Sequence, residues 1–132
     1  MMTQKILIVE DDPFTQQFYT YLFSKTDYEI IQTEDGDKIL QILDEEEITL
    51  IIMDINLTNT YWEDEKVDGV FISKFLKNNE SYANIPILLV TAYQKKTGTK
   101  DIFEESCADE YIVKPITDFN ELLGKIKQLI NE

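Results

Sequence analysis

Histidine is absent from all 132 residues, which removes the commonest general base at neutral pH, a frequent metal ligand and any phosphohistidine of the chain's own. A phosphohistidine would have to come from a partner. Cys107 is the sole cysteine, so no internal disulfide can form, and the chain suits a reducing compartment. Glycine stands only at positions 36, 69, 98 and 124, and neither a GxxxxGK(S/T) phosphate loop nor GxGxxG can be written around them. Positive charge is scarce as well. Lys and Arg total 12 against 26 Asp and Glu, and the resulting formal charge of −14 opposes attraction to nucleic acid or to an anionic membrane. No apolar run approaches the roughly 20 residues that cross a bilayer. The opening MMTQKILIVEDD reaches charged residues before a signal-peptide core can form, so no export signal and a cytoplasmic location are expected.

What is present is a regular alternation. The length suits one domain spanning 1–132 with no linker, and the 43% apolar content suffices for a core. KILIVEDD (5–12) is a continuous apolar stretch ending in acids, as a strand buried on both faces requires. Comparable runs follow at 28–33, 49–54, 85–91 and 110–115. Helical patterns lie between them. Pro13 after Asp12 suits a first helical turn, with Phe14, Phe18, Tyr21 and Leu22 on one face. Shorter helices are predicted over 37–45, 70–79 and roughly 98–106. The last helix carries Phe119, Leu122, Leu123, Ile126, Leu129 and Ile130 on one stripe, with Asp118 as its cap. Strands alternating with helices at this spacing predict right-handed crossovers and a doubly wound α/β fold with helices on both faces of a five-stranded parallel sheet.

In such sheets ligands bind beyond the carboxyl ends of the strands. Those ends hold Glu10, Asp11 and Asp12, then Asp54, then Thr91 and Ala92, then Lys114 and Pro115. Crowded carboxylates repel one another unless a cation intervenes, and Mg²⁺ prefers oxygen ligands, often one or two carboxylates with waters and a phosphate oxygen. Asp11 and Asp54 suit direct ligation, Glu10 or Asp12 a metal-bound water, and a backbone carbonyl just past Asp54 the rest of the shell. Lys114 supplies a second cation, and the Thr91 hydroxyl a donor. A carboxylate so flanked suits in-line phosphoryl transfer, where positioning and charge neutralisation supply nearly all the catalysis.

ILIVEDDP, IIMDINL, the Asp68-Gly69 pair, ILLVTA and YIVKP together resemble, in order and spacing, the receiver domains of two-component response regulators. The resemblance covers nearly the whole chain and implies a flavodoxin-like (βα)5 fold with strand order 2-1-3-4-5. It implies Asp54 as phosphoacceptor, with Glu10, Asp11, Asp54 and the Asn56 carbonyl around Mg²⁺. Thr91 and Lys114 match the hydroxyl and the lysine that contact the phosphate; Tyr111 matches the aromatic switch position. A cis bond between Lys114 and Pro115 is implied too. The expected partners are a sensor histidine kinase or histidine phosphotransfer protein, and a downstream target meeting the fourth helix, fifth strand and fifth helix; a homodimer stays open. After the last helix the chain stops at Asn131-Glu132, which suits either a stand-alone regulator or a piece of a longer protein.

Three departures stand out. Asp68-Gly69 comes fourteen and fifteen residues after Asp54, later than in most of the family, and Thr58 stands where a proline is usual. The extra segment NTYWEDEK (59–66) carries Trp62, the only tryptophan, and reads either as a solvated insertion or as a cover in which Tyr61 or Trp62 packs over the site or a partner surface. Asn56 and Tyr93 occupy positions where the family tunes phosphate lifetime, a role open to Trp62 as well. Cys107 replaces a frequent glycine, which points to a local change in the turn before the last strand. Two other functions compete with this one: a receiver-like interaction module that is never phosphorylated, and a Mg²⁺-dependent phosphatase with an aspartate nucleophile. The second lacks its usual Asp-x-Asp, since Asp54-Ile55-Asn56 has no second acid.

Overall fold

A computed structural model describes residues 3–92 and 99–131. The elements run β1 (Lys5–Val9), α1 (Pro13–Phe23), β2 (Glu29–Thr33), α2 (Gly36–Glu45), β3 (Ile48–Asp54), β4 (Tyr61–Trp62), β5 (Glu65–Lys66), α3 (Gly69–Lys77), β6 (Ile87–Ala92), α4 (Thr99–Ser106), β7 (Glu110–Lys114) and α5 (Phe119–Asn131). Five strands pair in parallel in the order β2-β1-β3-β6-β7. Once the small β4–β5 pair is set aside, this is the expected 2-1-3-4-5.

The continuous apolar runs are explained by where they go. In β1, Ile6, Leu7, Ile8 and Val9 are all fully buried, because alternate residues of a strand point to opposite faces and both faces are covered. Leu7, Val9, Ile51, Met53 and Leu89 pack with Ile39 of α2 and with Ile72 and Leu76 of α3. Ile6, Ile8, Leu50, Ile52, Leu88 and Val90 pack on the other side with Tyr19 and Phe23 of α1 and with Leu122 and Ile126 of α5. The α5 stripe thus faces the sheet as its spacing predicts. Asp118 accepts from the Asn120 and Glu121 amides at 3.0 and 3.3 Å, as the expected cap.

The first helix divides its aromatics differently from a simple reading of the pattern. Asp12 caps it, accepting from the Thr15 amide at 3.0 Å, and Pro13 opens it. Phe14, Phe18 and Tyr21 do share a face, but that face meets solvent: they are 82%, 40% and 61% exposed, while Tyr19 and Phe23 enter the core. The long connection after β3 also has structure of its own. β4 and β5 form an antiparallel hairpin whose tip residues, Glu63 and Asp64, have φ of 51° and 68°. Both lie in the left-handed region that a tight hairpin turn demands and that Asn-Gly fills more easily. The hairpin lies directly on Gly36, where an added Cβ would sit 2.4 Å from the Tyr61 carbonyl oxygen. No helix among the described residues is long and apolar enough to cross a membrane.

Candidate functional site

Parallel register brings the strand ends to one edge: Val9 aligns with Met53, Asp54 with Val90, and Ala92 with Lys114. The residues that finish or just follow those strands therefore converge although Glu10 and Lys114 are more than a hundred positions apart. Asp54 is 2% exposed. Its Oδ2 accepts from Lys114 Nζ at 2.6 Å, and its Oδ1 from the Asn56 amide at 2.9 Å. Asn56 itself is exposed. Gly69 rests against the same strand end, where a Cβ would meet the Asp54 carbonyl oxygen at 2.1 Å, so the Asp-Gly pair is needed for close backbone approach. Asp68 meanwhile caps α3 by accepting from the Phe71 amide.

Glu10 lies on the other side of Lys114, with Oε1 3.9 Å from Nζ. Its Oε2 accepts from the Asp12 amide, whereas Oε1 is buried without a hydrogen-bond partner. Burial first, and then the neighbouring Asp54, push Glu10 up to about 8; the Asp12 amide and Lys114 only partly oppose this. Beneath the pair, Tyr19 is held far above the usual phenol range, mainly by burial and then by the charges of Asp54 and Glu10. Asp12 is committed elsewhere, since its Oδ2 takes both the amide and the hydroxyl of Thr15 and its carboxyl is held low by them.

The feature that sequence reasoning missed is what happens to Asp11. Its Oδ2 accepts from the Thr58 and Asn59 amides, each at 2.7 Å, and from Thr60 Oγ1 at 3.3 Å. The residue in the usual proline position thus donates its N–H to an acid 47 positions earlier, a bond proline cannot make. A Thr-for-Pro departure was visible in the sequence; the acceptor was not.

These donors suit a hard cation. The set of Glu10, Asp11, Asp54 and the Asn56 carbonyl is all oxygen, and Glu10 Oε1 is an unpartnered buried acceptor that such an ion, or a water on it, would satisfy. Among the described residues no group of three or more acids or cysteines is placed so that it could hold a metal ion by itself.

Thr91 is fully buried at the end of β6, its hydroxyl donating to the Ala92 carbonyl at 3.1 Å. Tyr111 is half-buried on β7, its ring 5.1 Å from that of Phe103 on α4. The Lys114–Pro115 bond is cis. Trp62 is held against α3, its ring centroid 6.1 Å from Phe71 and 4.9 Å from Phe75, because the hairpin turns the insertion toward α2 and α3. It forms part of that wall of the domain. Tyr61 is 48% exposed. Tyr93 lies outside the described residues. Cys107 takes φ 60°, so the turn keeps a glycine-like conformation with a strained residue in it.

A family model described as the response regulator receiver domain matches residues 6–127. The chain is 34% identical over 116 residues to the polar-differentiation response regulator DivK of Brucella ovis, covering 88% of each. Among solved structures it is similar to a putative response regulator from Chloroflexus aurantiacus, with a TM-score of 0.83 at 23% identity, covering 99% of this chain and 100% of that one. The receiver domain of a Pseudomonas aeruginosa sensor histidine kinase, crystallised with a magnesium ion coordinated in its active site cleft, matches with a TM-score of 0.81 at 21% identity, covering 99% and 100%.

Proposed function

The chain belongs to the family of response regulator receiver domains, and from that premise we propose that Asp54 takes a phosphoryl group from a partner's phosphohistidine in a Mg²⁺-dependent reaction. The observation that carries this is the buried Asp54 carboxylate paired at 2.6 Å with Lys114 across the end of the sheet. Asp54 attacks phosphorus, the bond to the partner's imidazole nitrogen breaks, and the imidazole leaves with its electron pair. Glu10, Asp11, Asp54 and the Asn56 carbonyl would hold Mg²⁺, which when bound neutralises charge on the transferring group. Lys114 exchanges its carboxylate partner for a phosphoryl oxygen. The Thr91 hydroxyl leaves the Ala92 carbonyl for another oxygen, and Tyr111, already against Phe103, moves into the space it vacates.

The donor is a sensor histidine kinase or a histidine phosphotransfer protein, and the exposed Phe14, Phe18 and Tyr21, on the helix that Asp12 caps at the site's mouth, are the contacts we assign to it. The downstream target meets the face of α4, β7 and α5. Residues 1–132 act as one receiver unit in the cytoplasm, with Asn56 and Tyr93 setting phosphate lifetime. Acetyl phosphate tests the reading in the absence of any partner. One phosphoryl equivalent per chain with Mg²⁺, and none with a chelator, is expected; sustained turnover of a generic phosphate ester would make the chain a phosphatase instead.

A further inference from the structure

The insertion between β3 and α3 builds a surface that phosphoryl transfer does not use. Trp62 from the hairpin and Phe71 and Phe75 from α3 meet edge to face, and with Leu40 of α2 and Val67 they floor a groove of about 810 Å³. Phe71 and Phe75 remain 48% and 36% exposed although the hairpin already leans on them. The rim is one-sided in charge: Asp37, Glu63, Glu65 and Asp68 line it against the single Lys66. The hairpin is also fastened in place at some cost. Glu63 and Asp64 hold left-handed backbone without glycine, and the Glu63 amide donates to Asp37 at 2.8 Å, tying the strained tip to the start of α2. An aromatic floor that stays half open, inside an acidic rim, is an anchor pocket with charge selection around it.

We propose that this groove docks a cationic amphipathic segment of a partner protein, apolar side chains on Trp62, Phe71 and Phe75 and basic ones against the four carboxylates, and that docking is linked to Asp11. The link runs through Thr60. Its carbonyl accepts from the Val67 amide at 3.0 Å, closing the base of the hairpin, while its hydroxyl reaches Asp11 Oδ2. A ligand that orders the hairpin orders the turn that orients Asp11, so the groove and the cation site share one rigid connection. The docking claim is independent of the phosphoacceptor reading; the link rests on it.

Trp62, the only tryptophan, reports on its own pocket. The intact chain is titrated with a synthetic Leu/Lys amphipathic peptide and with a Leu/Glu peptide of the same apolar face, following Trp62 fluorescence. Saturable binding of the Leu/Lys peptide alone is expected, weakened at least tenfold by Phe75→Ser and by Glu65→Lys but unaffected by Glu29→Lys at the opposite end of the sheet. Equal binding of both peptides, or equal losses at Glu65 and Glu29, would overturn the groove and leave unspecific attraction to an acidic protein. Calorimetric Mg²⁺ titration with the groove saturated then tests the link. Several-fold tighter Mg²⁺ binding that disappears in Thr60→Val, with peptide affinity retained, is expected; unchanged or weaker Mg²⁺ binding overturns the link while leaving the groove intact. Absence of any Mg²⁺ binding, with or without peptide, would instead count against the phosphoacceptor reading.

Discussion

At the scale of single residues the site was legible wherever a side chain ends a strand, because register carries strand ends to a common edge whatever their separation in sequence. Asp54 and Lys114 are the clearest case. The Asp11 contacts were hidden because two of their three donors are main-chain amides, which every residue but proline has, and only folding decides where they point. Glu10 was legible as an acid and illegible as a strained one. Its carboxyl is neutral in both folded and unfolded chains at low pH; above about 4.5 the unfolded chain loses this proton while the folded one keeps it until about 8. The folded state binds more protons in that window, so stability falls as pH rises through it. Asp12, held low, contributes in the opposite sense and only near and below its ordinary value of 3.8, outside this window. Urea midpoints in chelator at about pH 5 and about pH 8 should therefore drop more in the native chain than in Glu10→Gln. Parallel drops would show that Glu10 is not the group responsible.

Among elements, the strands were the easiest to read and the insertion the hardest. β1 and β3 are unbroken apolar runs because both faces are covered, whereas β4 and β5 comprise two residues each around Glu63-Asp64, with none of the Asn-Gly chemistry that marks a tight turn. The first helix was half legible. Its period is plain, but aromatics occur on the buried and the exposed side alike, and composition cannot tell which side the sheet will take. The exposed side has its own consequence. Replacing Phe14 and Phe18 together by alanine should slow transfer from a phosphohistidine protein by roughly tenfold or more while leaving phosphorylation by acetyl phosphate unchanged. Equal slowing with both donors would mean that the helix supports the site and not the partner. The turn before β7 offers a stability test: Cys107→Gly relieves the left-handed strain and should raise the unfolding free energy by up to about 1 kcal/mol, read as a higher denaturation midpoint. A lower midpoint would show that the cysteine is tolerated there without strain.

For the whole molecule, the parallel sheet covered on both faces followed from the alternation of elements, whereas the strand order, now observed, came only with the resemblance to receiver domains. The charge of −14 has effects that no single contact shows. It repels small anionic donors as well as nucleic acid, so the rate of phosphorylation by acetyl phosphate at fixed Mg²⁺ should rise as neutral salt screens the field. A falling rate would mean that local positive charge at Lys114 outweighs the net charge. Signalling by this domain turns on phosphorylation of Asp54, and the mass of the intact chain after incubation with Mg²⁺ and acetyl phosphate tests it most directly. A gain of one phosphoryl group in the native chain, mapped to Asp54 and absent from Asp54→Ala, is the predicted result; no gain, or a gain that survives the substitution, would contradict it.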